Sequence, residues 1–383
     1  VADIEKTSAT NPIVTLTDRT VLVFGEDVSA AQLEQFRLHL AGLFDLGADD
    51  VAERTVAIPR LGVIVTPVPY AVLREERAVL GQFGIVAYSP ERVSFLPRRN
   101  FLASRARVSP KTPLDVMGVI GSPWTGDGIG VAMLDTGFDR SHIDFRGRTI
   151  ITLSSRVSGP VSDLDGHGTH TIGLACGSKA PANGVPRYGV ASKATIISVR
   201  VFDDSGLTTD GELCRGIDLA LANGAKVIGM CLGSGVPLNA KYSTAFETMA
   251  ERVSKTAVLI AAAGDDPAGD VYPVSHPANC PAVMAIAGLD SKLRPSEFSC
   301  GERNIDGEVN LAAPSEDLLS SVPGDQHDIN SGTSMSAAYV AGIAALWAEK
   351  GYEGLNLRAA VEGSFTPLTP RELVGNGLVQ APA

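Results

Sequence analysis

Three short segments of this 383-residue chain carry side chains that could do covalent chemistry together. Gly130-Val-Ala-Met-Leu-Asp135-Thr-Gly137 ends an apolar run on a carboxylate. Asp165-Gly-His167-Gly-Thr-His170 puts an imidazole at a helix start, and Ser331-Gly-Thr-Ser334-Met-Ser opens a small-residue helix with a hydroxyl. A serine hydroxyl is a weak nucleophile and needs an imidazole to take its proton; the imidazole needs a carboxylate to fix its tautomer and balance its charge. A helix N-terminus under the serine adds partial positive charge where an oxyanion would develop. Each segment alone also has a plain structural reading. Asp-Thr-Gly after a strand is a turn, Gly-Thr-Ser is a helix cap, and His167 with His170 is an i,i+3 pair without a supporting metal ligand.

The elements that must position these groups alternate. Apolar runs at Ile129–Leu134, Ala194–Val201, Ala225–Leu232 and Ala257–Ala263 read as strands, with helical stretches at His167–Gly177, Asp210–Asn223 and Tyr242–Lys255 between them. Runs that are apolar throughout and joined through helices imply a parallel sheet buried on both faces, an α/β doubly wound architecture. Functional groups in such sheets gather at the carboxyl ends of strands, where all three segments fall.

The order Asp135, His167, Ser334, in the contexts Leu-Asp-Thr-Gly, Gly-His-Gly-Thr-His and Gly-Thr-Ser-Met-Ser, resembles the subtilisin-like (subtilase) serine proteases from about Trp124 to Leu378. The resemblance implies a serine endopeptidase acting on peptide or protein substrates through an acyl-enzyme. Ser334 would be nucleophile, His167 base and Asp135 its partner, with His170 orienting locally. It also implies an oxyanion hole from the Ser334 amide and the residue after Ala261-Ala262-Ala263-Gly264. That residue is asparagine in the family and Asp265 here, followed by Asp266. An ionised carboxylate only accepts hydrogen bonds. Three readings follow: a protonated, donating Asp265 with better activity at acid pH; a slow, specialised enzyme, which is preferred; or a degenerate binding or scaffold protein. A peptide acyl-transferase would use the same residues. Ala338 and Tyr339 replace the family's proline and histidine, a neutral change in a helix's first turns.

The resemblance further implies a substrate strand along Leu232, Gly233, Ser234 and Gly235, with the primary pocket closed by Ala262, Gly264 and Ser275. Its small, uncharged walls suit an apolar side chain. Asp163 and Asp165 could favour a basic neighbour, but solvated loop acids are the commoner reading. Asp144 matches a position that often ligates structural calcium. The loop Gly177–Gly189 offers Asn183 and no carboxylate, short of the six or more oxygens that calcium takes. No cofactor is required for the triad chemistry.

Ahead of this region, residues 20–97 carry strand and helix signals in the order β-α-β-α-β, with one more weak strand near Thr55–Ile58. That is the order of a small α+β ferredoxin-like sandwich, and it resembles the inhibitor-like propeptide of the same proteases. Ser29 and Gln32 form a capping box for a helix whose Leu33, Phe36, Leu40 and Leu43 share a face. Residues 1–19 read as a loose arm, 98–116 as a basic linker with a processing site within Arg98–Val108, and 117–383 as the catalytic domain. The first domain would then be an intramolecular inhibitor. With 44% apolar and 20% charged residues the composition is that of a globular protein, and its net charge of −11 argues against nucleic acid or anionic membrane as partners. No apolar run approaches bilayer length. The chain is cytoplasmic if complete, or exported if a signal was trimmed. Cys176, Cys214, Cys231, Cys280 and Cys300 contain no Cys-x-x-Cys pair, so zinc and redox motifs fail; a Cys280–Cys300 bridge stays open.

Overall fold

The computed structural model describes residues 14–25, 28–43, 54–96, 111–156, 161–266 and 272–383. The expected processing region within Arg98–Val108 lies outside the described residues.

The chemistry-bearing region is built on a nine-stranded sheet. Its strands include β5 (Gly130–Asp135), β6 (Ile150–Ser154), β7 (Thr195–Arg200), β9 (Ala225–Met230), β10 (Val258–Ala262), β11 (Met284–Leu289), β12 (Leu311–Pro314), β15 (Phe365–Pro367) and β16 (Gly377–Val379). The order is β15-β16-β12-β11-β10-β9-β5-β7-β6, parallel except at the β15–β16 pair. Every residue of β5, β10, β11 and β12 is buried, as expected of strands covered on both faces. The chain order reverses between β5 and β9, so a crevice opens at their carboxyl ends. Helices α4 (His167–Cys176) and α7 (Thr333–Glu349) pack against each other at that reversal.

A second sheet precedes it. β1 (Val14–Phe24), β2 (Val56–Ile58), β3 (Val63–Thr66) and β4 (Ile85–Phe95) lie in the order β2-β3-β1-β4, all antiparallel. α1 (Ala30–Leu43), α2 (Tyr70–Glu75) and α3 (Arg77–Gln82) supply Leu33, Phe36, Leu40, Leu73 and Leu80 to a separate apolar cluster with Leu22, Phe24 and Ile64. The capping box forms, with Gln32 Oε1 accepting from the Ser29 amide at 2.9 Å and Ser29 Oγ from the Gln32 amide at 3.2 Å.

Several boundaries differ from expectation. β1 begins at Val14, inside the expected loose arm, because Val14–Leu16 pair with Glu91–Val93. The two short strands expected at residues 85–96 are one long β4, and the single helix expected at 70–80 breaks at Glu76. The turn Pro113–Val116, inside the expected linker, starts on a Thr112–Asp115 capping box, and Leu114 is buried in the larger core. All five cysteines are buried and free, so Cys280 and Cys300 are not bridged.

The two sheets meet through β8 (Leu207–Thr209), which joins β4 as a fifth strand of the first sheet. Side chains of the first region also satisfy helix starts in the second. Glu91 Oε1 accepts from the Gly211 amide (3.0 Å) at the start of α5 (Asp210–Ala222), and Ser89 Oγ from the Ala245 amide (3.0 Å) at the start of α6 (Thr244–Ser254). Arg252 of α6 reaches back to the carbonyls of Leu61 and Phe24, the latter at 2.6 Å.

Candidate active site

Asp135 is the last residue of β5 and is 1% exposed. Its Oδ1 accepts from His167 Nδ1 at 2.7 Å and from the Thr136 amide at 2.7 Å, and its Oδ2 accepts from Thr171 Oγ1 at 2.9 Å. A carboxylate that accepts a hydrogen bond from Nδ1–H holds the tautomer whose Nε2 lone pair is available. His167 Nε2 is buried and has no hydrogen-bond partner among the described residues. Burial opposes a charged imidazole, but the Asp135 contact, with Asp165 and Asp163 nearby, outweighs it and raises the His167 pKa.

The start of α4 is held by side chains rather than by solvent. Asp163 Oδ1 accepts from the Gly166 amide (2.8 Å) and from Thr136 Oγ1 (2.9 Å). Its Oδ2 accepts from the amide and hydroxyl of Thr169 (2.8 and 2.7 Å). Asp163 is thus a buried helix anchor, not the solvated acid that the sequence suggests. Asp165 Oδ1 accepts from the His167 amide (3.1 Å). Gly168 lies so close to β5 that a Cβ there would sit 2.2 Å from the Gly137 carbonyl oxygen. His170 donates from Nε2 to the Leu318 carbonyl (3.0 Å), and burial lowers its pKa to about 3, so it stays neutral and ties α4 to the next hairpin.

Ser334 is the second residue of α7, where its amide has no intrahelical acceptor. Its Oγ donates to the Cys231 carbonyl at 3.2 Å, and Cys231 Sγ contacts the Ser334 carbonyl at 3.2 Å. Cys231 follows β9 directly, and Met230 is in register with Leu134, the residue before Asp135. The serine is therefore fastened to the strand end beside the one that carries the acid.

Asp265 faces the start of the same helix. Its Oδ1 accepts from the amide and hydroxyl of Thr333, both at 2.8 Å, while Thr333 Oγ1 lies 3.1 Å from the Gly264 amide. Gly332 precedes them at φ 154, and a Cβ there would lie 2.8 Å from Asp265 Oδ2. Burial, outweighing the two Thr333 bonds and the charge of His167, raises the Asp265 pKa.

The expected substrate-pocket residues also come together. Ser234 and His276 exchange main-chain bonds at 2.9 Å in each direction, and the Ser275 amide donates to Ala263 (2.8 Å). A Cβ on Gly233 would lie 3.1 Å from Ser275 Cβ, and one on Gly264 would lie 2.1 Å from Ser275 Oγ and 3.2 Å from Cys300 Sγ. Leu232 is buried in the core, Ala262 ends β10, and Gly235 continues the 231–235 segment. Sequence reasoning missed Thr171 and Cys300 and gave no role to Thr136, Thr333 and Cys231, which all hold or line the site. These last three lay inside the segments it singled out, whereas Cys300 carried no local signal.

Asp144 is surrounded by donors. Its Oδ1 accepts from the Ala182 amide (2.6 Å), and its Oδ2 from Tyr188 Oη (2.5 Å) and His327 Nε2 (2.7 Å). Asn183 is exposed. Hydrogen-bond donors and an imidazole do not make the all-oxygen shell of calcium, so these residues do not fit that ion. His276 is buried against Asp210 at 2.8 Å. Among the described residues no helix is long and apolar enough to cross a membrane.

Residues 126–377 match the subtilase family of peptidases. The chain is 31% identical to subtilisin NAT of Bacillus subtilis subsp. natto over 264 residues, covering 68% of this chain and 66% of that protein. It is 34% identical to thermitase of Thermoactinomyces vulgaris over 246 residues (62% of this chain, 81% of thermitase). It is also 32% identical to a thermophilic serine proteinase of Bacillus sp. strain AK1 over 235 residues, covering 61% and 55% of the two. The chain thus spans about two thirds of the length of subtilisin NAT. With acid, imidazole and hydroxyl on neighbouring strand and helix ends and a match across most of that sheet, the chain belongs to the subtilase family.

Proposed function

We propose that the protein is a serine endopeptidase in which Asp135, His167 and Ser334 act as one unit. The observation that carries this reading is the buried His167 Nε2, unpartnered while Nδ1 is held 2.7 Å from Asp135. On substrate binding Ser334 Oγ would leave the Cys231 carbonyl and attack the scissile carbonyl carbon, giving its proton to His167 Nε2. The C–N bond then breaks as His167 returns that proton to the leaving amine, and water, activated by His167, releases the acyl group. The serine proteinase named among the relatives supports this reaction class.

The oxyanion would be held by the Ser334 amide and by Asp265 in its protonated form. The raised pKa of Asp265 supports that role, because a carboxylic acid donates where a carboxylate repels. Two opposed requirements follow: Asp265 must keep its proton while His167, whose pKa is also raised, must have lost its own. Where the His167 pKa exceeds that of Asp265, the productive form is a minority at every pH. That accounts for a slow, specialised enzyme with the same residues.

The first domain would be a ferredoxin-like propeptide that inhibits the second. Its β2-β3-β1-β4 order supports this, as does the end of β4. There the Phe95 amide donates to the Gly233 carbonyl (3.1 Å), on the segment where a substrate strand would pair, and the Leu96 amide donates to the Gly206 carbonyl (2.9 Å). Cleavage within Arg98–Val108 would follow that strand in chain order.

Incubating the full chain from about pH 4 to 8 with a mixed peptide library, and sequencing new N-termini, tests the proposal. Internal peptide cleavage and self-cutting within Arg98–Val108, both lost in Ser334→Ala, are expected. A folded wild-type chain that cuts nothing would sink it.

A further inference from the structure

The strongest unexplained chemistry lies away from the Asp135–His167 pair. His142 caps, and Asp144 lies within, the turn Ile143–Phe145 that follows β5. His327 comes from β14 (Gln326–Asn330), which pairs antiparallel with β13 (Leu318–Val322). His142 is fully buried, Asp144 is 7% exposed, and the His327 side chain is 10% exposed. One ligand atom from each lies within 4.8 Å of the other two.

Hydrogen bonding already sets the tautomer that ligation needs. His142 Nε2 lies 2.9 Å from the Gln326 carbonyl oxygen, which can only accept, so Nε2 carries the proton and the lone pair is on Nδ1. That lone pair takes only a long 3.2 Å bond from the Asp144 amide. Metal-bound histidines usually donate their second N–H to a carbonyl or carboxylate in this way, which fixes the ring. The Asp144 carboxylate is oriented too, with Oδ1 held by the Ala182 amide. Oδ2 is left where His327 and Tyr188 converge.

We propose that His142 Nδ1, Asp144 Oδ2 and His327 Nε2 bind a zinc-class dication, with the Tyr188 hydroxyl or water in the fourth position. Two imidazoles and one carboxylate suit zinc and its late first-row neighbours, whereas calcium and magnesium take oxygen shells. Zinc bonds of about 2.0–2.1 Å put tetrahedral ligands roughly 3.4 Å apart. His327, the least buried of the three, supplies the inward movement. The metal–nitrogen bond forms as the Nε2 proton leaves His327 for solvent, with a proton kept or taken up from solvent on Nδ1 so that the ring ligates as a neutral imidazole, and the cation takes the place of the Nε2 proton against Asp144.

The location gives the ion a consequence. Ser320 and Ser321 of β13 donate to the His170 and Thr169 carbonyls of α4 (2.8 and 3.1 Å), and β14 ends four residues before Ser334. The cation would staple the segment leading into α7 to the turn leaving β5. It would stabilise the folded chain by mass action without touching the reacting atoms. This inference does not depend on the proposed protease chemistry.

The test uses the full chain, in a Ser334→Ala background to prevent self-digestion, stripped with chelator and titrated with Zn²⁺ alone by calorimetry and with Co²⁺ by visible absorption. One saturable site with the intense d–d bands of four-coordinate cobalt is expected. His327→Ala should weaken binding by about 100-fold or more. His327→Cys should restore a site and add a thiolate-to-cobalt band, a signature that a merely structural role would not produce and that remains readable if His327→Ala fails to fold. No saturable binding overturns the proposal. So does binding that His327→Ala leaves unchanged, which would point to His167 instead.

Discussion

At the scale of single residues, the site combines two buried titrating groups whose preferences conflict. Both His167 and Asp265 have raised pKa values, the first because Asp135 outweighs burial and the second because burial outweighs Thr333. Catalysis by neutral His167 with protonated Asp265 gives a bell. Activity is lost on the acid side as His167 protonates and on the alkaline side as Asp265 ionises. Asp265→Asn supplies a donor with no proton to lose, so it should remove the alkaline limb. It should also raise kcat at neutral pH by about 10²-fold, the worth of one such donor; an unchanged profile would separate Asp265 from the reaction. Thr333→Val removes the hydroxyl that helps hold the Asp265 carboxylate ionised, so the protonated, donating form is better populated and activity along the alkaline limb should rise in a pH–rate measurement. Asp135→Asn should leave the fold intact and lower kcat by about 10⁴-fold, because His167 would then be held in the wrong tautomer.

At the scale of elements, the motif residues are useful only because their helices start and their strands end in fixed places. Asp163 ties Gly166, Thr169 and Thr136 together at the start of α4. Asp163→Ala leaves these buried donors without an acceptor and should cost about 2–4 kcal/mol in a denaturant titration. His167 should lose alignment and kcat should fall with it. The core strands β5, β7, β9 and β10 were legible because uninterrupted apolar runs have one reading in a parallel sheet. Asp135, His167 and Ser334 stood out because they sit at the strand and helix ends beside those runs. β8 and the β13–β14 hairpin were not legible: each is short, and β14, Gln-His-Asp-Ile-Asn, shows no apolar alternation. The extension of β1 to Val14 was hidden for a similar reason, since only Val14–Leu16 pair with β4 before the register shifts ahead of Thr20, too short a run to show alternation. Nothing in the local sequence marks His327, because only the folded hairpin brings it to Asp144.

At the scale of the whole molecule, the two sheets are joined by contacts that local sequence does not announce. Ser89 and Glu91 fall between the two short strands that the sequence suggests, yet they satisfy the first amides of α6 and α5, and Arg252 carries the reciprocal contact. If the end of β4 blocks the cleft, Arg252→Ala should loosen the first domain and speed substrate access without touching the reacting groups. Steady-state assays should then show a higher kcat/KM for small peptides, and an unchanged value would argue that the first domain does not obstruct the site. The central claim, that Ser334 is activated by the Asp135-supported His167, is tested most directly by reacting the full chain with a small fluorophosphonate and mapping the adduct by mass spectrometry. The expected result is one adduct on Ser334, nearly abolished in His167→Ala, with a labelling rate that falls on the acid side as His167 protonates. A folded chain that stays unlabelled, or one labelled equally well without His167, would contradict it.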